Sequence, residues 1–319
     1  MDIILFESHQ YDSRALNLYR TLGDVYLISD LEKKPILKRK VFGVAGIIVI
    51  RNHIRADKSF VGQFPKLKII ACPTTGLNHI DLSYASERRI RVISLRGETV
   101  FLNKITSTAE HAFALILSLA RHIPWAFDSV KGGCWLREGY IGNELNRKTL
   151  GIVGLGRLGK MVARYALAFG MRVVAFDPFV SMTIMKKIGT KKISRDALFG
   201  ISDTVSLHLP LNENTAQSIG GREFSLMKKT AFLINTSRGE VIVRGDLYSA
   251  LKSKTIGGAA IDVMDDEDSS GVHLKTDPLY LYAREHKNLI ITPHIGGMSV
   301  ESMAATEEFI AKKVVKLLK

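Results

Sequence analysis

Polar side chains with catalytic potential follow apolar runs in the second half of the 319-residue chain. Arg238 comes after TAFLIN, the carboxylates of MDDED come after GGAAIDV, and His294 comes after NLIITP. A guanidinium binds carboxylate and carbonyl oxygens through a planar fork, and an imidazole exchanges a proton near neutral pH. A nearby carboxylate favours the protonated imidazole. Such groups could together bind a small 2-oxo acid and donate a proton to its carbonyl oxygen.

The most specific pattern is G-x-G-x-x-G at Gly154, Gly156 and Gly159, directly after an apolar run. We predict a helix from Arg157 to Ala168 and a following strand that ends at Asp177. The glycines allow a tight turn, backbone approach to a pyrophosphate and close packing of helix on strand, and the helix N-terminus offers free N–H groups to phosphates. Asp177 would accept hydrogen bonds from ribose hydroxyls and repel a 2′-phosphate. The pattern therefore indicates NAD, although glycines at this spacing also occur in ordinary turns.

These groups need strands that end at a common edge. Apolar runs without alternation predict strands buried on both faces at residues 148–156, 172–177, 204–209, 230–235, 257–263 and 288–293. Helical segments separate them, which is typical of a doubly wound parallel sheet whose ligands bind beyond the carboxyl ends of the strands. A single loop arginine or histidine is more often solvated or structural. Their occurrence at one edge, beside the glycine loop, favours a catalytic interpretation.

The first hundred residues predict a smaller α/β domain, with strands at 2–8, 46–50, 66–72 and 89–94. A long helix follows over 107–123, and Ser107 and Glu110 have the spacing of a capping box. The fold class that we expect is α/β, with two Rossmann-like domains built on doubly wound parallel sheets.

Composition narrows the function classes. The chain is 46% hydrophobic and 24% charged, which is globular, and its net charge is +14. The basic clusters lack interleaved aromatic residues, which argues against nucleic-acid binding. Cys72 and Cys134 lack metal-ligand spacing, so we expect free thiols and no metal. The N-terminus does not resemble a signal peptide and no run is long enough to span a bilayer, so we expect a cytoplasmic protein without membrane attachment.

The motifs STAEHAFALILSLAR, GIVGLGRLG, VSLHLPLNENT, LINTSRG, AAIDV and ITPHIGG resemble those of the D-isomer-specific 2-hydroxyacid dehydrogenase family. The resemblance covers nearly the whole chain and is densest from 107 to 297. It implies hydride transfer between NADH and a small anionic 2-hydroxy or 2-oxo acid. In that reaction Arg238 would bind the substrate carboxylate and His294 would be the general acid/base. Glu267, five residues beyond Asp262, would be the carboxylate that tunes His294.

The resemblance also implies cofactor and substrate contacts. The residues that would line the cofactor are Gly154, Gly156, Arg157, Leu158, Gly159, Asp177, His208, Leu209, Pro210, Thr215, Thr236, Asp262, Gly296 and Gly297. Asp262 would hold the nicotinamide carboxamide. Thr75 and Gly76, in TTGLNHIDL, would bind the substrate carboxylate through backbone N–H groups alongside Arg238 and His294.

The domain layout implied by the resemblance is discontinuous. Residues 1–100 plus 298–319 would form a flavodoxin-like substrate domain, and residues 101–297 would form the NAD-binding Rossmann domain. A homodimer is also implied, with the long helix from residue 107 in its interface.

Two departures from the family and two alternative functions remain open. The link SLRGETVFLNKITSTAEH is several residues longer than usual, and is either a surface insertion or a place where Arg96 or Lys104 contacts a larger or more anionic acid. Asp268 replaces a frequent proline and would either stabilise the imidazolium or face water.

The same family includes a corepressor that senses NAD with little turnover, and Arg238, Glu267 and His294 do not discriminate against that role. A basic nucleic-acid-binding protein with a vestigial cofactor fold is the third possibility.

Overall fold

The computed structural model describes residues 1–6, 11–265, 267 and 271–319, with the backbone alone for His273. Asp268 therefore lies outside the described residues. The chain folds into two compact units, one formed by Met1–Ile105 with Met298–Lys319 and the other by Thr106–Gly297.

The first unit begins with alternating strands and helices. In chain order they are β1 (Asp2–Leu5), α1 (Ser13–Arg20), β2 (Val25–Leu27), α2 (Ile28–Glu32), α3 (Pro35–Val44), β3 (Ala45–Val49), α4 (Lys58–Gly62), β4 (Ile69–Cys72), α5 (Leu82–Glu87), β5 (Arg91–Ser94) and α6 (Thr99–Leu102). Within the described part, the strands form a five-stranded parallel sheet in the order β2-β1-β3-β4-β5. This is the flavodoxin-like order. Every residue of β3 and β4 is buried, as expected of strands covered by helices on both faces.

The second unit follows the same alternation over a larger sheet. Its elements are α7 (Ser107–Ala120), α8 (Ile123–Lys131), β6 (Thr149–Val153), α9 (Arg157–Ala168), β7 (Arg172–Phe176), α10 (Met182–Lys187), β8 (Lys191–Lys192), α11 (Arg195–Ile201), β9 (Thr204–Leu207), α12 (Gly221–Leu226), β10 (Phe232–Asn235), α13 (Arg244–Lys252), β11 (Gly258–Ile261), α14 (Pro278–Glu285) and β12 (Leu289–Ile291). Short 3₁₀ helices occur at Glu138–Tyr140, Gly239–Val241 and Val272–Thr276.

The sheet of the second unit has, among the described residues, seven parallel strands in the order β12-β11-β10-β9-β6-β7-β8. The order reverses between β6 and β9, which is the topological switch point where doubly wound sheets bind ligands. The predicted α/β class with two Rossmann-like parallel sheets is confirmed.

The last helix, α15 (Val300–Leu318), belongs to the first unit. Its residues Ile310 and Val314 are fully buried in the hydrophobic cluster that contains Ile3 of β1. The ring of Phe101 stacks on Phe309 of α15 with 4.0 Å between centroids. This contact explains why the boundary of the unit lies after Ile105, five residues beyond the expected position at residue 100.

Two local predictions differ in outcome. The helix predicted over Arg157–Ala168 is confirmed as α9. The capping box predicted at Ser107 is wrong, because the backbone oxygen of Thr106 already accepts the first N–H groups of α7 and no side chain caps the helix. Ser107 lies inside the helix, and its hydroxyl donates instead to the backbone oxygen of Gly296 over 2.7 Å.

Candidate functional site

The glycine loop between β6 and α9 leaves its backbone open on one side. Gly154 has a φ of +92°, and a Cβ there would lie 2.6 Å from the backbone oxygen of His208. A Cβ at Gly159 would collide with the backbone of Gly154, so helix and strand pack at a distance that only glycine permits. Around Gly156, the N-terminal cap of α9, a Cβ would meet nothing within 4 Å. The N-terminus of this 12-residue helix is thus accessible to an anion.

Asp177 ties the end of β7 to this loop. Its Oδ2 accepts the N–H of Leu155 over 2.8 Å, and its Oδ1 accepts the N–H of Phe179 over 2.8 Å. Each carboxylate oxygen has two lone pairs, so acceptor capacity remains for a ribose hydroxyl. The carboxylate therefore fixes the glycine loop in addition to the role that the sequence predicts for it.

Other cofactor candidates surround the loop. Arg157 and Leu158 form the first turn of α9, and burial lowers the pKa of the Arg157 guanidinium. Nε2 of His208 interacts with the hydroxyl of Ser206 over 2.9 Å. Burial lowers the pKa of His208 to about 4, so the ring is neutral at neutral pH. Leu209 and Pro210 follow His208 directly.

Two buried polar atoms at this edge have no hydrogen-bond partner in the described part of the chain: Nδ1 of His208 and Oγ1 of Thr236. Buried polar groups are normally paired, so these atoms fit a site completed by a polar ligand. Together with the space at Gly156, they make the residues present compatible with a dinucleotide. Thr215 is different, because its hydroxyl donates to the backbone oxygen of Pro210 over 2.5 Å and closes a turn.

The carboxylate of Asp262 organises the loop after β12. Its Oδ1 accepts the hydroxyl of Thr292 over 2.6 Å, Nε2 of His111 over 3.1 Å and the N–H of Ile295 over 2.9 Å. Its Oδ2 accepts the N–H of Gly296 over 2.8 Å. Burial opposes ionisation of Asp262, but the hydrogen bonds from His111, Thr292 and the backbone outweigh it and lower its pKa. Much of its acceptor capacity is thus used within the protein.

Gly296 and Gly297 have different surroundings within this loop. A Cβ at buried Gly296 would lie 2.9 Å from Oδ2 of Asp262, so a larger residue would disturb that contact. Gly297 is exposed, and a Cβ there would meet nothing within 4 Å.

His294 and Glu267 are in direct contact. Nδ1 of His294 lies 2.5 Å from Oε2 of Glu267, and since a carboxylate only accepts, Nδ1 carries the hydrogen. The backbone N–H of His294 donates to the backbone oxygen of Asp262 over 2.8 Å, and its φ is +55°. The other oxygen of Glu267 accepts the N–H of Met264 over 2.9 Å. The ring is thus oriented from both its backbone and Nδ1, which leaves Nε2 to act on a ligand.

Arg238 is held by its backbone. The side-chain amide of Asn235, at the end of β10, donates to the backbone oxygen of Arg238 over 2.8 Å. A Cβ at the next residue, Gly239, would collide with the backbone of Met264 and Asp265. The turn with Arg238 therefore lies directly against the segment that leads to Glu267. Among the described residues, the guanidinium bonds only to the backbone oxygen of Ser237 over 2.6 Å, and no bond joins it to His294.

Thr75 and Gly76 lie in the first unit, after the carboxyl end of β4. The hydroxyl of Thr74 donates to the backbone oxygen of Gly76 over 2.9 Å, and Sγ of Cys72 lies 3.0 Å from that hydroxyl. These contacts shape the loop. The N–H groups of Thr75 and Gly76 have no acceptor within the described residues, so they are available to an anion.

Sequence reasoning missed the residues that orient the others. One of them is His111, which reaches Asp262 from α7. A histidine on a helix whose neighbours Ala109, Ala112 and Phe113 are buried was the available signal. Nothing in the sequence pointed to Thr292 or to the packing of Gly239.

Three further observations bear on other site types. Neither Cys72 nor Cys134 is part of a disulfide. Over the described ranges, no group of three or more His, Cys, Asp or Glu side chains is arranged to hold a metal ion. No helix in the described part of the chain is both long and apolar enough to cross a bilayer.

A glycine loop at the switch point of a seven-stranded parallel sheet, with orphaned polar atoms beside it, defines a dinucleotide-binding protein. Residues 113–296 match the model for the D-isomer specific 2-hydroxyacid dehydrogenase, NAD binding domain. The chain belongs to the D-isomer-specific 2-hydroxyacid dehydrogenase family.

Similar proteins extend the likeness to the full chain. The D-3-phosphoglycerate dehydrogenase of Synechocystis sp. is 36% identical over 98% of this chain, which spans about half (53%) of that relative. The glyoxylate reductase of Thermococcus litoralis is 32% identical, with 99% of this chain and 93% of the relative covered. The structure of the Aquifex aeolicus D-lactate dehydrogenase complexed with NAD and lactic acid matches with a TM-score of 0.80 and 31% identity, over 99% of this chain and 95% of that one.

The depressed pKa of His208 predicts acid sensitivity of the fold. The unfolded chain protonates this histidine near pH 6.5, while the folded protein keeps it neutral to about pH 4. Between these values the unfolded state binds more protons, so the free energy of unfolding decreases as the pH is lowered, by about 3 kcal/mol. We expect His208→Gln to flatten the dependence of the melting temperature on pH between 6.5 and 4. An unchanged slope would contradict a buried neutral ring, and His53→Gln, at an exposed histidine, is the matched control.

Proposed function

We propose that this protein is an NAD-dependent oxidoreductase that interconverts a D-2-hydroxy acid and its 2-oxo acid. The observation that carries the proposal is the 2.5 Å contact between His294 and Glu267. It occurs in the unit that also holds the glycine loop, at the carboxyl edge of one parallel sheet. A proton donor with a carboxylate partner at that edge is what reduction of a carbonyl requires.

His294 is the proposed general acid/base. When nicotinamide is bound, it supplies or accepts the hydride at the carbon of the reacting carbonyl. On reduction, Nε2 of His294 gives its proton to the carbonyl oxygen, and on oxidation it removes the proton from the hydroxyl. Glu267 holds the Nδ1 hydrogen throughout, which fixes the ring orientation and stabilises the imidazolium. The His294 side chain is 24% exposed, so it can regain its proton from solvent.

Arg238 is the proposed anchor for the substrate carboxylate and carbonyl. Its guanidinium has one intramolecular hydrogen bond among the described residues, and the remaining N–H groups suit a planar carboxylate. We propose the free N–H groups of Thr75 and Gly76 as further contacts to the carboxylate.

The residues that we propose as cofactor ligands come from the set that the sequence predicts. Gly154, Gly156 and Gly159 with the start of α9 would accommodate the pyrophosphate, and Asp177 would bind the adenosine ribose. We propose NAD rather than NADP, because the Asp177 carboxylate would repel a 2′-phosphate. Thr236 and His208 offer unpaired polar atoms, and Asp262 keeps one lone pair on Oδ2 for the carboxamide.

The first test is NADH oxidation followed at 340 nm with a panel of 2-oxo acids from glyoxylate to phosphorylated and sugar-derived acids, repeated with NADPH. We expect turnover of at least one acid, with NADH preferred. His294→Asn should reduce kcat by about 10²–10⁴-fold, the usual contribution of a general acid. The matched control is His286→Asn, because His286 precedes β12 whereas His294 follows it. Equal losses in the two variants, or no turnover with tightly bound NADH, would contradict the proposal.

Arg96 is the proposed contact to a second anionic group of the substrate. The N–H of Leu95 donates to the backbone oxygen of Thr74 over 3.0 Å, so Arg96 follows directly beside the loop of Thr75. The side chain of Arg96 is exposed. Lys313 cannot take this role, because its Nζ donates to Ser94 and to Glu98 over 2.6 Å.

Lys104 is the weaker candidate for the same contact. It is exposed, but it lies beyond α6, which packs on α15 through Phe101. The link is thus folded within the first unit as far as Ile105, and its start at Leu95 bonds to Thr74 just after β4.

Substrate charge tests this assignment. Arg96→Ala should lower kcat/KM for a phosphorylated 2-oxo acid by about tenfold, because one charge-assisted hydrogen bond is lost, and should leave glyoxylate unaffected. Arg91→Ala is the matched control, since Arg91 lies at the amino end of β5 whereas Arg96 follows its carboxyl end. Lys104→Ala should behave like the control. Equal effects of Arg96→Ala on both acids would refute a contact to the second charge.

We also propose a homodimer. We propose that α8 rather than the expected helix α7 forms the interface, because α7 buries most of its apolar side chains within its own unit. Large apolar side chains are instead exposed on α8 and the segment after it: Ile123, Phe127, Val130, Trp135, Leu136 and Ile141. Trp135 is 82% exposed, and such a concentration of apolar surface is typical of an interface between copies of one chain.

Oligomeric mass tests the dimer. Light scattering after size-exclusion chromatography should give twice the 35.4 kDa chain mass, and Phe127→Glu with Trp135→Glu should give the monomer. Ile36→Glu, at an exposed site on α3, is the control and should leave the dimer intact. A wild-type monomer would exclude the proposal.

We propose a cytoplasmic location, which accords with the absence of a disulfide at Cys72 and Cys134. The relatives reported above are named as enzymes, so an NAD-sensing binding role is not favoured. The substrate we propose is a small anionic acid, and neither nucleic acid nor a membrane is among the proposed partners.

A further inference from the structure

The segment after β11, as far as it is described at Met264, Asp265 and Glu267, has more contacts than the proposed reaction accounts for. It follows β11 and carries Glu267, whose Oε1 accepts the N–H of Met264 over 2.9 Å. This bond closes the segment on itself but does not attach it to the rest of the unit. Asp265 belongs to the same acidic cluster in the sequence and has no role in the proposed chemistry.

Arg244 makes that attachment. Its Nη1 lies 3.4 Å from Oδ1 of Asp265, and its Nη2 donates to Oδ2 of Asp277. Asp277 is 2% exposed in its side chain and caps α14 by accepting the N–H of Tyr280 over 2.8 Å. One guanidinium thus joins the start of α13, the segment of Asp265 and the start of α14.

The position of Arg244 in α13 is unfavourable for the helix itself. It is the first residue of the helix, where the helix dipole disfavours a positive charge. Asp246, in the same turn, forms no ion pair with Arg244 within the described residues, and its carboxylate accepts the N–H of Gly221 over 2.7 Å. The carboxylates of Asp265 and Asp277 are the partners that compensate the guanidinium, so its placement is explained by what it connects.

The same segment is pressed against the turn of Arg238. A Cβ at Gly239 would collide with the backbone of Met264 and Asp265. Gly239, Arg244, Met264 and Asp265 also line a common cavity of about 20 Å³, enough for at most about one water molecule. There is little slack in this packing, so a shift of Asp265 would displace its neighbour Met264, whose N–H donates to Glu267.

We propose that Arg244 is a positioning residue for the reaction. Through Asp265 it fixes Met264, whose N–H holds Oε1 of Glu267, so that Glu267 remains against Nδ1 of His294. The inference rests on the proposed function for its kinetic consequences, while the contact between Glu267 and His294 can be followed without turnover.

Kinetics provide the first test. Arg244→Met retains the aliphatic stem and removes the charge, and we expect kcat to fall about tenfold with KM for NADH unchanged, as for a displaced catalytic group. Arg244→Lys should recover part of the loss. The matched control is Arg222→Met, which breaks a guanidinium–carboxylate contact of 2.6 Å to Asp196 in the same unit and should leave kcat unchanged.

A double-mutant cycle separates Asp265 from Asp277. Asp265→Asn should lower kcat by a similar factor, and adding Arg244→Met should cause no further loss, because both remove one interaction. Additive losses would show that Arg244 acts through Asp277 and would overturn the proposal, as would wild-type kcat in Arg244→Met.

The second readout is the His294 Cε1–H signal in protein labelled at histidine, assigned by its absence in His294→Asn. In Arg244→Met the signal should move toward its position in Glu267→Gln, and in Arg222→Met it should not move. If the wild type does not oxidise NADH, the proposed function fails. The comparison of His294 signals still decides whether Arg244 holds Glu267 in place. An unmoved signal in Arg244→Met would overturn the positioning role.

Discussion

The carboxylate of Asp262 is the interaction on which the candidate site depends. It follows β11, yet it accepts hydrogen bonds from His111 on α7 and from Thr292 and the backbone after β12. The Asp262 side chain is only 2% exposed. A charged acceptor buried so deeply is stable only when such donors surround it. The requirement to satisfy this carboxylate thus determines the path of the loop with His294, including its left-handed backbone at φ +55°.

The glycine loop is held by contacts of the same kind, at the carboxyl ends of β6 and β7 in the same sheet. The N–H of Leu155 is bound by Asp177, and the backbone of Gly154 lies against that of His208. The close approach of Gly154 to His208 requires the absence of a side chain, and the N–H of Leu155 requires a buried acceptor. The ends of neighbouring strands are thereby held close, and the space that remains open is beside Gly156 at the start of α9.

Much of the fold was predictable because local patterns carried it. Apolar runs such as 230–235 identified the buried strands, and the boundaries of α9 followed from Gly156 and Gly170. The failures occurred where a residue serves a distant partner. Ser107 has the sequence features of a cap but bonds to Gly296, which is 189 positions away. The short edge strand Lys191–Lys192 was not predicted, because two lysines carry no apolar pattern.

The sequence by itself determined the two α/β units, the glycine loop and the selection of Arg238, Glu267 and His294 as a candidate set. Periodicity, turn residues and motif spacing act over short distances along the chain and are legible there. Tertiary structure alone decided that Nδ1 of His294 meets Glu267, that Asp262 is occupied by protein donors and that Arg244 reaches Asp265. These contacts join residues that are far apart in sequence, and they are set by how the strand ends and helices pack, which no local pattern encodes.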